Sequence, residues 1–71
     1  MSEEVTAPMA GNIWKIHVEV GDQVKYEDEL MVLEALKMEN PIYAPTDGTV
    51  VEIKVSENDT VEANQVLIVL D

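Results

Sequence analysis

Four lysines, one histidine, fifteen carboxylates and a scatter of hydroxyls are the chemically competent side chains of this 71-residue chain, which has no cysteine. Serine-type catalysis needs a hydroxyl, a base and a group that orients the base. Ser2, Ser56, Thr6, Thr46, Thr49 and Thr60 lack the other parts of such a triad. His17, without a cysteine or a second histidine, cannot build an ordinary zinc site and reads as a structural or surface residue beside Trp14 and Ile16. Glu27-Asp28-Glu29 has no calcium-loop spacing and reads as a charged turn. Self-contained catalysis is not expected of these side chains. Lys37 stands between two apolar residues in Glu34-Ala35-Leu36-Lys37-Met38-Glu39. A primary amine on a long stem can be acylated, whereas a guanidinium stays protonated and is a poor nucleophile. Lysines as a class are solvated surface residues, so the weight falls on where the fold places this one.

Composition narrows the classes further. One small domain, residues 1–71, is the limit, because a chain of this size buries only about 60% of its unfolded surface. At 46% hydrophobic it is too apolar to be disordered despite a net charge of -11. The absence of cysteine excludes a disulfide framework and suits a reducing compartment, so a cytoplasmic location is expected. The acidic start, Met1-Ser2-Glu3-Glu4, is not a signal peptide, and the longest apolar run, Val66-Leu67-Ile68-Val69-Leu70, is far short of the roughly 20 residues of a spanning helix. Lys15, Lys25, Lys37 and Lys54 are too few to displace counterions from phosphates, so neither nucleic acid nor an anionic membrane is an expected partner. The acidity suits a solvated surface that selects proteins with basic patches.

The elements that must position Lys37 are organised by an internal repeat. A shift of thirty-seven positions lays Ala7-Pro8 on Ala44-Pro45, Gly11 on Gly48, Ile16 on Ile53, Asp22 on Asp59, Leu30 on Leu67 and Leu33 on Leu70, without a gap. Two copies, about 7–33 and 44–70, imply interlocked halves of one domain related by an approximate two-fold axis. Residues 12–19 and 49–56 are rich in β-branched side chains with partial alternation and read as strands, followed by turns at Gly21-Asp22 and Asn58-Asp59. Gly11 and Gly48 follow Ala-Pro at the same spacing, which predicts equivalent turns needing positive φ or close backbone approach. The segment 27–40 is built from helix formers, and Met31, Ala35 and Met38 fall on one helical stripe. The repeat nevertheless equates 27–33 with the strand-like 64–70, and Pro41 pushes Asn40 towards extended geometry. Strands near 31–34 and 42–44 are therefore expected, with Lys37 on the connection between the halves.

Glu34-Ala35-Leu36-Lys37-Met38-Glu39 resembles the Glu-Ala-Met-Lys-Met-Glu attachment motif of biotinyl domains, the biotin carboxyl carrier family. Ala7-Pro8-Met9-Ala10-Gly11 is similar to that family's opening, Val20-Gly21-Asp22-Gln23-Val24 to its Gly-Asp turn, and Ala44-Pro45 with Gly48 to its second half. The resemblance implies an all-β fold, a flattened barrel or sandwich of two four-stranded antiparallel sheets with quasi-two-fold symmetry and an exposed lysine on the hairpin joining the halves. It implies that a biotin protein ligase attaches biotin covalently to Lys37, with Leu36 and Met38 as recognition flanks and Glu34, Ala35 and Glu39 as motif context. The carrier, not itself a catalyst, would shuttle a carboxyl group between biotin carboxylase and carboxyltransferase, decarboxylase or transcarboxylase sites.

Leu36 departs from the methionine usual in the family. Lipoyl domains share the fold but usually place Asp before and Ala after the lysine, and neither stands here, so biotin is favoured over lipoate. The gap-free repeat leaves no room for the protruding insertion of some carriers, and no Ala/Pro-rich linker is present, which suits a free-standing carrier or an excised domain. The alternatives are a lipoyl-bearing acyl carrier and an unmodified acidic interaction module.

Overall fold

A computed structural model describes residues 2–71 and contains eight strands in them: β1 (Glu3–Thr6), β2 (Gly11–Ile16), β3 (Gln23–Val24), β4 (Glu29–Ala35), β5 (Met38–Tyr43), β6 (Gly48–Ile53), β7 (Thr60–Val61) and β8 (Val66–Leu70). They form two antiparallel four-stranded sheets, ordered β1-β8-β6-β3 and β5-β4-β2-β7. A shift of thirty-seven positions carries β1, β8, β6 and β3 onto β5, β4, β2 and β7, so the sheets exchange under it and each draws strands from both halves of the chain. Neither half could close a sheet alone.

The partial alternation of the sequence is explained by bulges, which insert one unpaired residue and shift the faces beyond it. Ile13 pairs with Leu33 and Lys15 with Val32, leaving Trp14 as the extra residue. Val51 is the extra residue at the same place on β6. Trp14 and Lys15 are therefore both exposed, between the buried Ile13 and the half-buried Ile16. Leu30 and Leu67 are the extra residues on β4 and β8 and turn inward, fully buried beside Met31 and Ile68. Ile13, Leu33, Val50 and Leu70 complete the centre of an apolar core shared by both sheets. No helix among the described residues is long and apolar enough to cross a membrane. Indeed 29–43 is a pair of strands: burying Leu30, Met31, Leu33 and Ile42 in the core outweighs the helix propensity of the segment.

The expected strands 12–19 and 49–56 begin one residue earlier and end three residues sooner. Carboxylates take the chain off the ladder there: Asp22 Oδ2 accepts the Glu19 N–H at 2.9 Å and Asp59 Oδ2 accepts the Ser56 N–H at 2.8 Å. The following residues, Gly21 (φ 101°) and Asn58 (φ 76°), both adopt the left-handed region. Gly21→Asn should therefore leave the unfolding midpoint nearly unchanged, whereas Gly21→Val should cost about 1 kcal/mol or more by denaturant titration, because a β-branched residue tolerates this φ poorly. Gly11 and Gly48 correct the turn expectation: each opens a strand, and neither has positive φ. What Gly11 provides is room, since a Cβ there would collide with the Glu34 carbonyl oxygen and sit 3.1 Å from Ala35 Cβ.

Candidate functional site

β4 and β5 run antiparallel through six paired positions that end at Ala35 opposite Met38, so only Leu36 and Lys37 connect them. This connection is tighter than the 31–34 and 42–44 strand limits imply, because pairing continues to the base of the turn. Of the two-residue hairpin turns that match the right-handed twist of the strands, type I′ needs positive φ at both central residues. Leu36 has φ 54° and Lys37 φ 62°, as that turn demands. Asn-Gly or Asp-Gly is the usual choice, and a bulky L-residue in this region costs roughly 1–2 kcal/mol. The double substitution Leu36→Asn with Lys37→Gly should accordingly raise stability by about 1 kcal/mol or more in denaturant unfolding, while removing the amine. Fold and chemistry pull in opposite directions at this turn.

The base of the hairpin is held on both sides. Asn40 Nδ2 donates to the carbonyls of Met38 (3.2 Å) and Leu33 (3.4 Å). On the other side the Gly11 backbone closes on the Glu34 carbonyl, and Ala35 is buried. Beyond this base the motif faces solvent: Leu36 is 89% exposed, Met38 64%, and Lys37 is exposed. Glu34 and Glu39 lie opposite each other across the ladder and are exposed. The ion pairs among the described residues are His17 with Glu29 at 2.7 Å and Lys54 with Glu52 at 3.3 Å, and Lys37 takes part in neither. His17 is thus occupied on the surface, and among the described residues no group of three or more His, Asp or Glu could hold a metal. Two surface clefts, one along 4–8 and 41–45 and one along 23–25 and 47–49, do not include the turn.

The candidate site is an exposed two-residue turn outside both of these clefts. The sequence singles out Lys37 and its flanks but carries no sign of the Asn40 bonds or of the close approach at Gly11, which depend on which strands become neighbours.

A small all-β domain that offers an exposed amine on a two-residue turn, outside both of these clefts, has the form of a carrier. The family model described as "Biotin-requiring enzyme" matches residues 3–70, and the chain belongs to this biotin/lipoyl attachment family. It is 47% identical over 66 residues to a biotin/lipoyl attachment protein of Bacillus subtilis, covering 93% of this chain and 90% of that protein. It is 52% identical over 64 residues to a biotin carboxyl carrier protein of Streptococcus mutans, covering 90% of this chain and 49% of that one. Among solved structures, the Kluyveromyces lactis urea carboxylase superposes over 100% of this chain and 6% of its own, with a TM-score of 0.94 and 31% identity. A single-chain, multi-domain long-chain acyl-CoA carboxylase superposes over 96% of this chain and 7% of its own, with a TM-score of 0.90 and 26% identity. The chain thus spans nearly all of the first relative, half of the second and one domain's worth of the carboxylases.

Proposed function

We propose that this biotin carrier domain carries its cofactor as an amide on Lys37 and presents it to the active sites of a biotin-dependent carboxylase. The observation that supports this reading is the placement on a two-residue turn of a lysine with no ion pair among the described residues, in a conformation that neither Leu36 nor Lys37 favours. Attachment would use the Lys37 Nζ lone pair to form a C–N bond at the acyl carbon of biotinyl-adenylate, with AMP leaving with the electrons of the cleaved acyl–phosphate bond. The amine's proton passes to the ligase or to solvent, since no carboxylate pairs with Nζ among the described residues. Biotin, once bound, supplies a ureido nitrogen that accepts and releases a carboxyl group.

The chain's own contribution is placement. Asn40 and Gly11 hold the base of the turn, Leu36 and Met38 offer apolar flanks for recognition, and Glu34, Ala35 and Glu39 complete the motif. Tethering raises the local concentration of the cofactor to mM or more at each site it visits, without any catalytic group on the carrier. The ligase and the biotin carboxylase and carboxyltransferase subunits are its partners in this reading. The Bacillus relative's name covers lipoate as well as biotin. Intact mass after incubation with biotin protein ligase, biotin and ATP, and separately with a lipoate ligase and lipoate, decides between them. A single biotin adduct is expected, and a lipoyl adduct alone would replace biotin by lipoate.

A further inference from the structure

At one matching position the sheet that ends in the Lys37 hairpin exposes an indole where its counterpart exposes a valine. The equivalent bulges on β2 and β6 each push one extra residue outward, Trp14 at 50% exposure and Val51 at 45%. Val51 lies in the β1-β8-β6-β3 sheet, whereas Trp14 lies on the strand next to β4, in the sheet that carries Lys37. Lys15 Nζ stands 6.0 Å from the centre of the indole ring, which puts both side chains on the outer face. At similar exposure an indole forgoes more burial energy than a valine, and tryptophan is among the residues most enriched at the energetic centre of interfaces.

Register places this indole within reach of whatever grips Lys37. Trp14 is inserted opposite Val32 and Leu33, three or fewer residues before the end of β4, which sets it about 10 Å back from the turn at the 3.3–3.4 Å rise of a strand. A standard interface covers about 800 Å² on each partner, a disc of roughly 16 Å radius. Glu34 and Glu39 lie between the indole and the turn. The geometry points to the outer face around Trp14 as the docking surface for the biotin-attaching ligase, with the indole in an apolar socket that the partner borders with basic side chains. Charge selects this occupant over a second copy of the chain, because two bodies of net charge -11 repel. The inference rests on Lys37 as the acceptor and adds the surface by which the carrier is recognised.

Steady-state biotinylation with purified ligase, biotin and ATP, with the full chain as varied substrate, tests it. Trp14→Ala should raise the carrier's KM at least tenfold with kcat within twofold, Trp14→Tyr should recover most of the loss, and Val51→Ala, its counterpart in the other sheet, should match the parent. An unchanged KM in folded Trp14→Ala, or an equal rise in Val51→Ala, overturns the assignment. An unchanged ligase KM with slower turnover of the biotinylated carrier by a carboxylase moves the face to that enzyme and overturns it too. If Trp14→Ala does not fold, 5-fluorotryptophan at this sole tryptophan gives the answer by ¹⁹F NMR. A resonance that shifts or broadens as ligase saturates supports the surface, and one that stays fixed while Lys37 is being biotinylated overturns it. A parent chain that takes no biotin on Lys37 defeats the underlying acceptor assignment instead, and is scored separately.

Discussion

Lys37→Arg is expected to abolish biotinylation by the ligase completely while changing unfolding free energy by less than about 0.5 kcal/mol. The loss is total because the guanidinium cannot act as the acylated amine, and no second lysine is presented on a comparable turn. Lys15 sits on a central strand beside an indole, Lys25 on a turn closed by Asp28, and Lys54 in an ion pair with Glu52. Stability is spared because Lys37 is exposed and makes no ion pair among the described residues, and substitutions at such sites fall within about 0.5 kcal/mol. Intact mass and denaturant titration of the same preparation read both halves. Residual biotin on the arginine variant, or a loss of several kcal/mol, would sink the account of Lys37 as a handle that does not take part in folding.

The second large effect lies beneath the hairpin. Gly11→Val should destabilise by about 2 kcal/mol or more, whereas Gly48→Val should cost less than about 1 kcal/mol. The two glycines are thirty-seven positions apart and each opens a strand, so the repeat treats them alike. Their surroundings do not. At Gly11 a Cβ meets backbone, the Glu34 carbonyl, which cannot retreat without pulling β4 away from β2. At Gly48 the nearest atoms are Asp71 O at 3.3 Å and Leu70 Cβ at 3.4 Å, which need give only a few tenths of an ångström. Because Glu34 stands three residues before the proposed acceptor, Gly11→Val should also slow ligation, and Gly48→Val should not. Equal losses of stability at the two positions would show that the backbone approach at Gly11 is unimportant.

The contrast between these glycines marks what a sequence can carry. Features set by local chemistry were legible: the turns at Gly21-Asp22 and Asn58-Asp59 and the extended geometry at Asn40-Pro41. The segment 34–39 could be singled out because its residues are contiguous. The bulges were visible only as imperfect alternation, since Trp14 and Val51 leave the period of two without a signal of their own. Helix propensity in 27–40 argued for the wrong element, opposed by the match of 27–33 to 64–70 and by Pro41 at its end. The room that Gly11 makes for Glu34, the hydrogen bonds of Asn40 and the outward indole of Trp14 arise between strands distant in sequence, and no local pattern encodes them.

The central claim is that one exposed turn, not lysine chemistry in general, makes this domain a carrier. Proteolysis and tandem mass spectrometry of the ligase-treated full chain test it most directly, because the fragments assign the adduct to one of Lys15, Lys25, Lys37 and Lys54. The account predicts biotin on Lys37 alone, at one equivalent per chain. Biotin on any of the other three lysines, with Lys37 unmodified, would contradict it.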